Sequence, residues 1–113
     1  MPYIHAHCNV KLNLEQKELF CKRAGEIISI LPGKSEQWLM VEIEDQQTIF
    51  YAGSSEPCAI VTVDLYGAGD LHSYEQFTDS LSVLFSGITN IPLNRIYVRY
   101  LETQTWGWNG KNF

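Results

Sequence analysis

Apolar and polar residues alternate along the start of the chain, with Ile4, Ala6, Cys8 and Val10 on one side and Tyr3, His5, His7 and Asn9 on the other. That period of two predicts a half-buried strand over 3–10. The period then changes. Leu14, Leu19, Phe20, Ala24, Ile27, Ile28 and Leu31 recur at helical spacing, and Asn13 followed three residues later by Gln16 has the form of a capping box that would start the helix. Pro32-Gly33 would stop it. "WLMVEIE" at 38–44 predicts a second strand, continued by a short hairpin through "EDQQTIFY".

The second half replays this order. "CAIVTVDLY" at 58–66 is an apolar, β-branched strand, "GAGD" a loop, and Leu71 to Ile88 a helix carrying Tyr74, Phe77, Leu81, Leu84, Phe85 and Ile88. "NIPLN" turns, and "RIYVRYL" at 95–101 is a strand on which Ile96, Val98 and Tyr100 share one face and Arg95, Tyr97 and Arg99 the other. The starts of matching elements, 3 and 58, 14 and 71, 38 and 95, differ by 55, 57 and 57 positions. The chain therefore reads as a β-α-β unit used twice. The predicted fold is a single α+β domain over 1–113, a two-layer sandwich of four main strands with two helices on one face. So short a chain has no third layer for the other face of the sheet, which makes self-association the expected cover.

Composition narrows the function classes. A net charge of −5 opposes binding to nucleic acid, which needs a basic face to neutralise phosphates. No apolar run approaches the length that spans a bilayer, so no membrane partner is expected. Three unpaired cysteines, Cys8, Cys21 and Cys58, read as a reducing compartment. The expected location is the cytoplasm, with release lacking a signal peptide as the alternative.

Pro2 carries the first chemical question. A proline offers no donor to a sheet, so it fits a strand only at its first residue or on an edge. The other reading is that Met1 is trimmed, leaving a free secondary amine. Other candidates are weaker. His5 and His7 share a strand face but have no third ligand near in sequence, so no metal is assigned. Ser54 and Ser55 have no assignable base and suit a turn.

Five stretches bear on Pro2 together: "MP" at the start, "PGK" at 32–34, "GSSEPCA" at 53–59, "RIYV" at 95–98 and "WGWNGKNF" at 106–113. In this order and spacing the chain resembles the macrophage migration inhibitory factor family of the tautomerase superfamily. The resemblance implies a homotrimer whose sheets form a central barrel, with a site at each subunit boundary. It implies a cofactor-independent keto-enol tautomerase acting on an α-keto acid such as phenylpyruvate, with the Pro2 amine as general base and Lys34 beside it and the substrate carboxylate. Tyr97 matches a family tyrosine that reaches into the adjoining subunit's site. Arg99 departs from the pattern, since better-known members carry asparagine there. It reads either as a fork for a carboxylate or as an intersubunit ion pair with Glu42 or Glu44. Tyr66 and Trp106 fall where the best-known member has isoleucine and valine, while Tyr3, Trp38, Trp108 and Phe113 keep large side chains at wall positions. Cys58 lacks the second thiol of a Cys-x-x-Cys, Val61 standing in its place. Two rivals remain: a cytokine-like protein that binds a receptor and keeps a vestigial pocket, and a proline-based hydration or dehalogenation of an unsaturated acid.

Overall fold

The computed structural model describes residues 1–113. Four strands, β1 (Pro2–Cys8), β2 (Met40–Glu44), β3 (Ala59–Tyr66) and β4 (Ile96–Thr103), form one sheet in the order β2-β1-β3-β4. Two helices, α1 (Leu14–Ile27) and α2 (Leu71–Thr89), complete the α+β sandwich. β1 and β2 run parallel, as do β3 and β4, and the two units join through the antiparallel β1–β3 pair. The duplicated β-α-β reading therefore holds.

The core lies between the helices and one face of the sheet. Ile4, Ala6 and Cys8 of β1 sit opposite Val63, Val61 and Ala59 of β3, and all six are buried under Phe20, Ala24, Phe77, Leu81 and Phe85. Phe20 of α1 meets Phe85 of α2 edge-to-face at 5.1 Å, joining the two helices over the sheet. α1 starts where Asn13 and Gln16 close the capping box with two 2.8 Å hydrogen bonds. α2 is capped by Asp70 and ends at Asn90 in the left-handed conformation, φ 63°. Neither helix is long and apolar enough to cross a membrane.

Several boundaries differ from expectation. β1 ends at Cys8, and Val10 lies beyond it. The α-helix stops at Ile27 and tightens into a 3₁₀ turn over Ile28–Ile30, while Leu14 and Leu19 of the predicted apolar stripe face solvent. Trp38 belongs to a 3₁₀ turn (Glu36–Trp38), so β2 begins later, at Met40. The segment 44–51 is not a hairpin; the amides of Gln46 and Gln47 donate to the carbonyls of Val10 and Cys8, and Tyr51 forms an isolated bridge with Ser54. Arg95 precedes β4 and does not join Tyr97 and Arg99 on the open face. A small antiparallel hairpin, β5 (Gly107–Trp108) and β6 (Lys111–Asn112), forms the tail.

Candidate active site

Pro2 opens β1 opposite Leu65, on the buried helix side of the sheet. Residues before it extend the ladder, since the carbonyl of Met1 accepts from the amide of Tyr66 at 3.3 Å. Lys34 arrives from the turn after α1, where Gly33 takes φ 76°, a conformation glycine adopts without strain. Its Nζ donates to the carbonyl of Tyr66 at 2.9 Å. One backbone position, Tyr66, thus holds both the start of the chain and the lysine. The Met1 α-amine lies below its ordinary value, first because burial penalises the cation, then because Lys34 adds a like charge and a hydrogen bond.

Beside this amine is a cleft of about 300 Å³ lined by Met1, Pro2, Tyr3, Trp38, Trp106 and Trp108, among others. Its walls are linked by ring contacts: Trp38 meets Trp108 edge-on at 5.0 Å, Phe113 stacks on Trp108 at 6.3 Å, and Tyr66 lies 5.7 Å from Phe113. The tail hairpin brings Trp108 and Phe113 there. Asn109 and Gly110, with φ 53° and 79°, make its two-residue turn, and that pair is a strong hairpin signal in sequence. Eight of the ten candidate residues, Pro2, Lys34, Tyr3, Tyr66, Trp38, Trp106, Trp108 and Phe113, therefore converge at one end of the sheet. A neutral amine there would face the tryptophan-lined cleft and have the Lys34 ammonium beside it.

Tyr97 and Arg99 lie elsewhere. Tyr97 pairs with Ile60, five residues along β3 from the partner of Pro2 and on the opposite face. At about 3.4 Å per residue the offset along the strands alone is roughly 17 Å, and β3 lies between β1 and β4. Tyr97 is 57% exposed and its ring packs on Tyr51. Arg99, also exposed on the open face, donates from Nε to the Thr62 hydroxyl at 3.0 Å. Within one chain it meets neither Glu42, which accepts from Tyr3, nor Glu44, which is engaged by His5 and His7.

The profile of the macrophage migration inhibitory factor family matches residues 1–113. This chain belongs to that family. Leishmania major MIF2 superposes with a TM-score of 0.94 at 30% identity, over 100% of this chain and 97% of that one. A Brugia malayi macrophage migration inhibitory factor homolog is 25% identical over 115 residues, covering 100% of this chain and 99% of the relative. The Xenopus laevis macrophage migration inhibitory factor is 29% identical over 83 residues, 72% of each chain. Membership in the macrophage migration inhibitory factor family fits the sandwich described above. Two structural roles had no clear signal in the sequence: the Tyr66 carbonyl that seats Lys34, because every residue carries one, and the guanidinium of Arg95. The latter donates to the carbonyls of Pro57, Tyr51, Ser54 and Glu56 and so holds the Gly-Ser-Ser-Glu-Pro loop in place.

Proposed function

We propose that this member of the macrophage migration inhibitory factor family is a cofactor-independent keto-enol tautomerase, acting on an α-keto acid such as phenylpyruvate. It works as a homotrimer, with the Pro2 amine, freed by removal of Met1, as general base. The observation that carries this reading is Lys34, anchored on the Tyr66 carbonyl, beside the N-terminal amine that borders the aromatic cleft. It sets a cation beside the start of the chain, and burial and a like charge of that kind favour the neutral form of a secondary amine at Pro2. In its neutral form that amine can take a proton from the carbon next to the ketone. The ammonium of Lys34 holds the substrate carboxylate and stabilises the enolate as charge moves onto oxygen, and the proton then returns at oxygen. The tryptophans offer the phenyl ring an apolar wall, backed by Phe113 stacked on Trp108. Tyr97, too far from Pro2 of its own chain, serves the site of a neighbour across the open sheet face. Arg99 lies on the same face and is positioned to add a carboxylate fork at that boundary.

The test is phenylpyruvate ketonisation by wild type with Met1 removed, by Pro2→Gly, and by a form that keeps Met1. Both altered forms are expected to lose about 10²-fold or more in kcat/KM with the trimer intact, and Lys34→Ala to raise KM. A trimeric wild type without activity would overturn the reading and favour a cytokine-like binding protein.

A further inference from the structure

The open face of the sheet carries a cluster that tautomerisation does not use. His5 and His7 project from the same side of β1, with ring centroids 3.9 Å apart. The third ligand that is missing nearby in sequence arrives across the sheet, because β2 runs parallel to β1 with His7 opposite Glu44 and His5 opposite Glu42. Glu44 Oε2 lies 2.8 Å from His5 Nε2 and 2.6 Å from His7 Nε2. Ligand atoms of His5, His7 and Glu44 all fall within 4.8 Å of one another. Around one zinc ion, with metal–ligand bonds of about 2.0–2.2 Å, three such atoms would sit roughly 3.4 Å apart. An ion would enter by re-spacing these side-chain atoms toward that separation.

The surroundings favour a cation. The Glu44 carboxylate stands between the two imidazoles, in contact with both Nε2 atoms. Glu42 adds a second carboxylate 3.8 Å from His5 Nε2 and is itself held by the Tyr3 hydroxyl. The nearest-strand cation, Arg99, is tied to Thr62, the β3 partner of His5. Two imidazoles and one carboxylate suit a borderline divalent ion such as Zn²⁺ and not Mg²⁺ or Ca²⁺, which prefer oxygen.

We infer that His5, His7 and Glu44 form a divalent transition-metal site, best suited to Zn²⁺, on the open face of the sheet. All three ligands come from one chain, so the site does not depend on the proposed reaction. An ion there would clip the five-residue edge strand β2 to β1 and stabilise the fold by mass action.

The test adds zinc chloride to the full chain. Calorimetry is expected to show one ion per protomer with a dissociation constant below about 100 μM, together with a melting temperature that rises and falls back on addition of EDTA. In imidazole nitrogen spectra His5 and His7 shift while His72, on α2, stays. His7→Ala and Glu44→Gln each weaken binding by at least about tenfold, whereas Glu42→Gln, which keeps all three ligands, changes it little. Far-UV circular dichroism verifies that the variants fold, and Glu44→Gln suffices if His7→Ala does not. The inference fails if His72 shifts alongside the pair, if both variants bind as wild type, or if Co²⁺ gives a thiolate charge-transfer band from Cys21. No binding in the stated range overturns it as well.

Discussion

Arg95 illustrates how much one side chain can organise. Its guanidinium donates to Pro57 at 2.9 Å, to Ser54 and Glu56 at 3.1 Å and to Tyr51 at 3.3 Å, and it lies 4.8 Å from the centre of the Tyr51 ring. Only a planar fork with several donors can satisfy so many carbonyls at once. Arg95→Ala leaves them without their common donor and should destabilise the chain by about 2–3 kcal/mol, read as a lower urea midpoint with unchanged slope. Arg95→Lys should recover only part of that. A second residue-scale prediction concerns acid. Asp45 accepts from the Leu12 amide at 2.8 Å and pairs with Lys17 at 3.1 Å; the amide first and the lysine second hold its carboxyl below the ordinary value. The unfolded chain therefore binds its proton at a higher pH than the folded one does. Its contribution is complete above the ordinary aspartate range and is lost as pH falls through that range toward the lower folded value. Urea midpoints between pH 6 and pH 3 should fall less steeply in Asp45→Asn than in wild type, and equal slopes would contradict this assignment.

Elements were more legible than their edges. The capping residues, the change of period from two to helical spacing and the doubled order of segments all survive, because each is a local signal that the tertiary fold reinforces. What failed was local pattern without tertiary information. Leu14 and Leu19 have helical spacing but lie off the buried side, where Phe20 and Ala24 do the packing. Arg95 has the parity of the open face, yet the strand begins one residue later. The aromatic wall was legible as residue types, but its assembly needed contacts between segments some 70 positions apart in the chain, such as Trp38 with Trp108. The same holds for Glu44 beside His5 and His7. Two substitutions test the element scale. Asn13→Ala removes one arm of the capping box and should cost about 1 kcal/mol. At the tail, Gly110 holds φ 79° in the turn between β5 and β6, and a β-branched residue resists that conformation. Gly110→Val should loosen the hairpin and separate Trp108 from Trp38. The expected result is a weaker near-ultraviolet circular dichroism signal and a raised KM for phenylpyruvate, with the global urea midpoint little changed.

At the scale of the whole molecule, the sheet has one face under two helices and the other open. That open face is mixed: Tyr3, His5, His7, Glu42 and Glu44 lie toward one edge, and Tyr97, Arg99 and Leu101 toward the other. Tyr97 and Leu101 are large and about half exposed, on the same face of β4 with Arg99 between them. A rotationally closed trimer would bring the β4 edge of one protomer to the Pro2 end of the next, each contact being head-to-tail. In that arrangement every site draws Pro2 from one chain and Tyr97 from its neighbour, and this divides the labour in a measurable way. Pro2→Gly and Tyr97→Ala, each assembled alone, should be strongly impaired, since every site then lacks one of the two groups. Unfolded together in equal amounts and refolded, they should regain activity, because random assembly gives about a quarter of the sites both an intact Pro2 and an intact Tyr97. If both groups instead served a site within one chain, every chain in the mixture would carry one defect, and no mixture would exceed the activities of the separate variants. Velocity sedimentation of the same samples, near three times the 12.9 kDa of one chain, establishes that the gain arises in mixed trimers. Recovery without assembly, or assembly without recovery, would break the link between the shared boundary and the chemistry at Pro2.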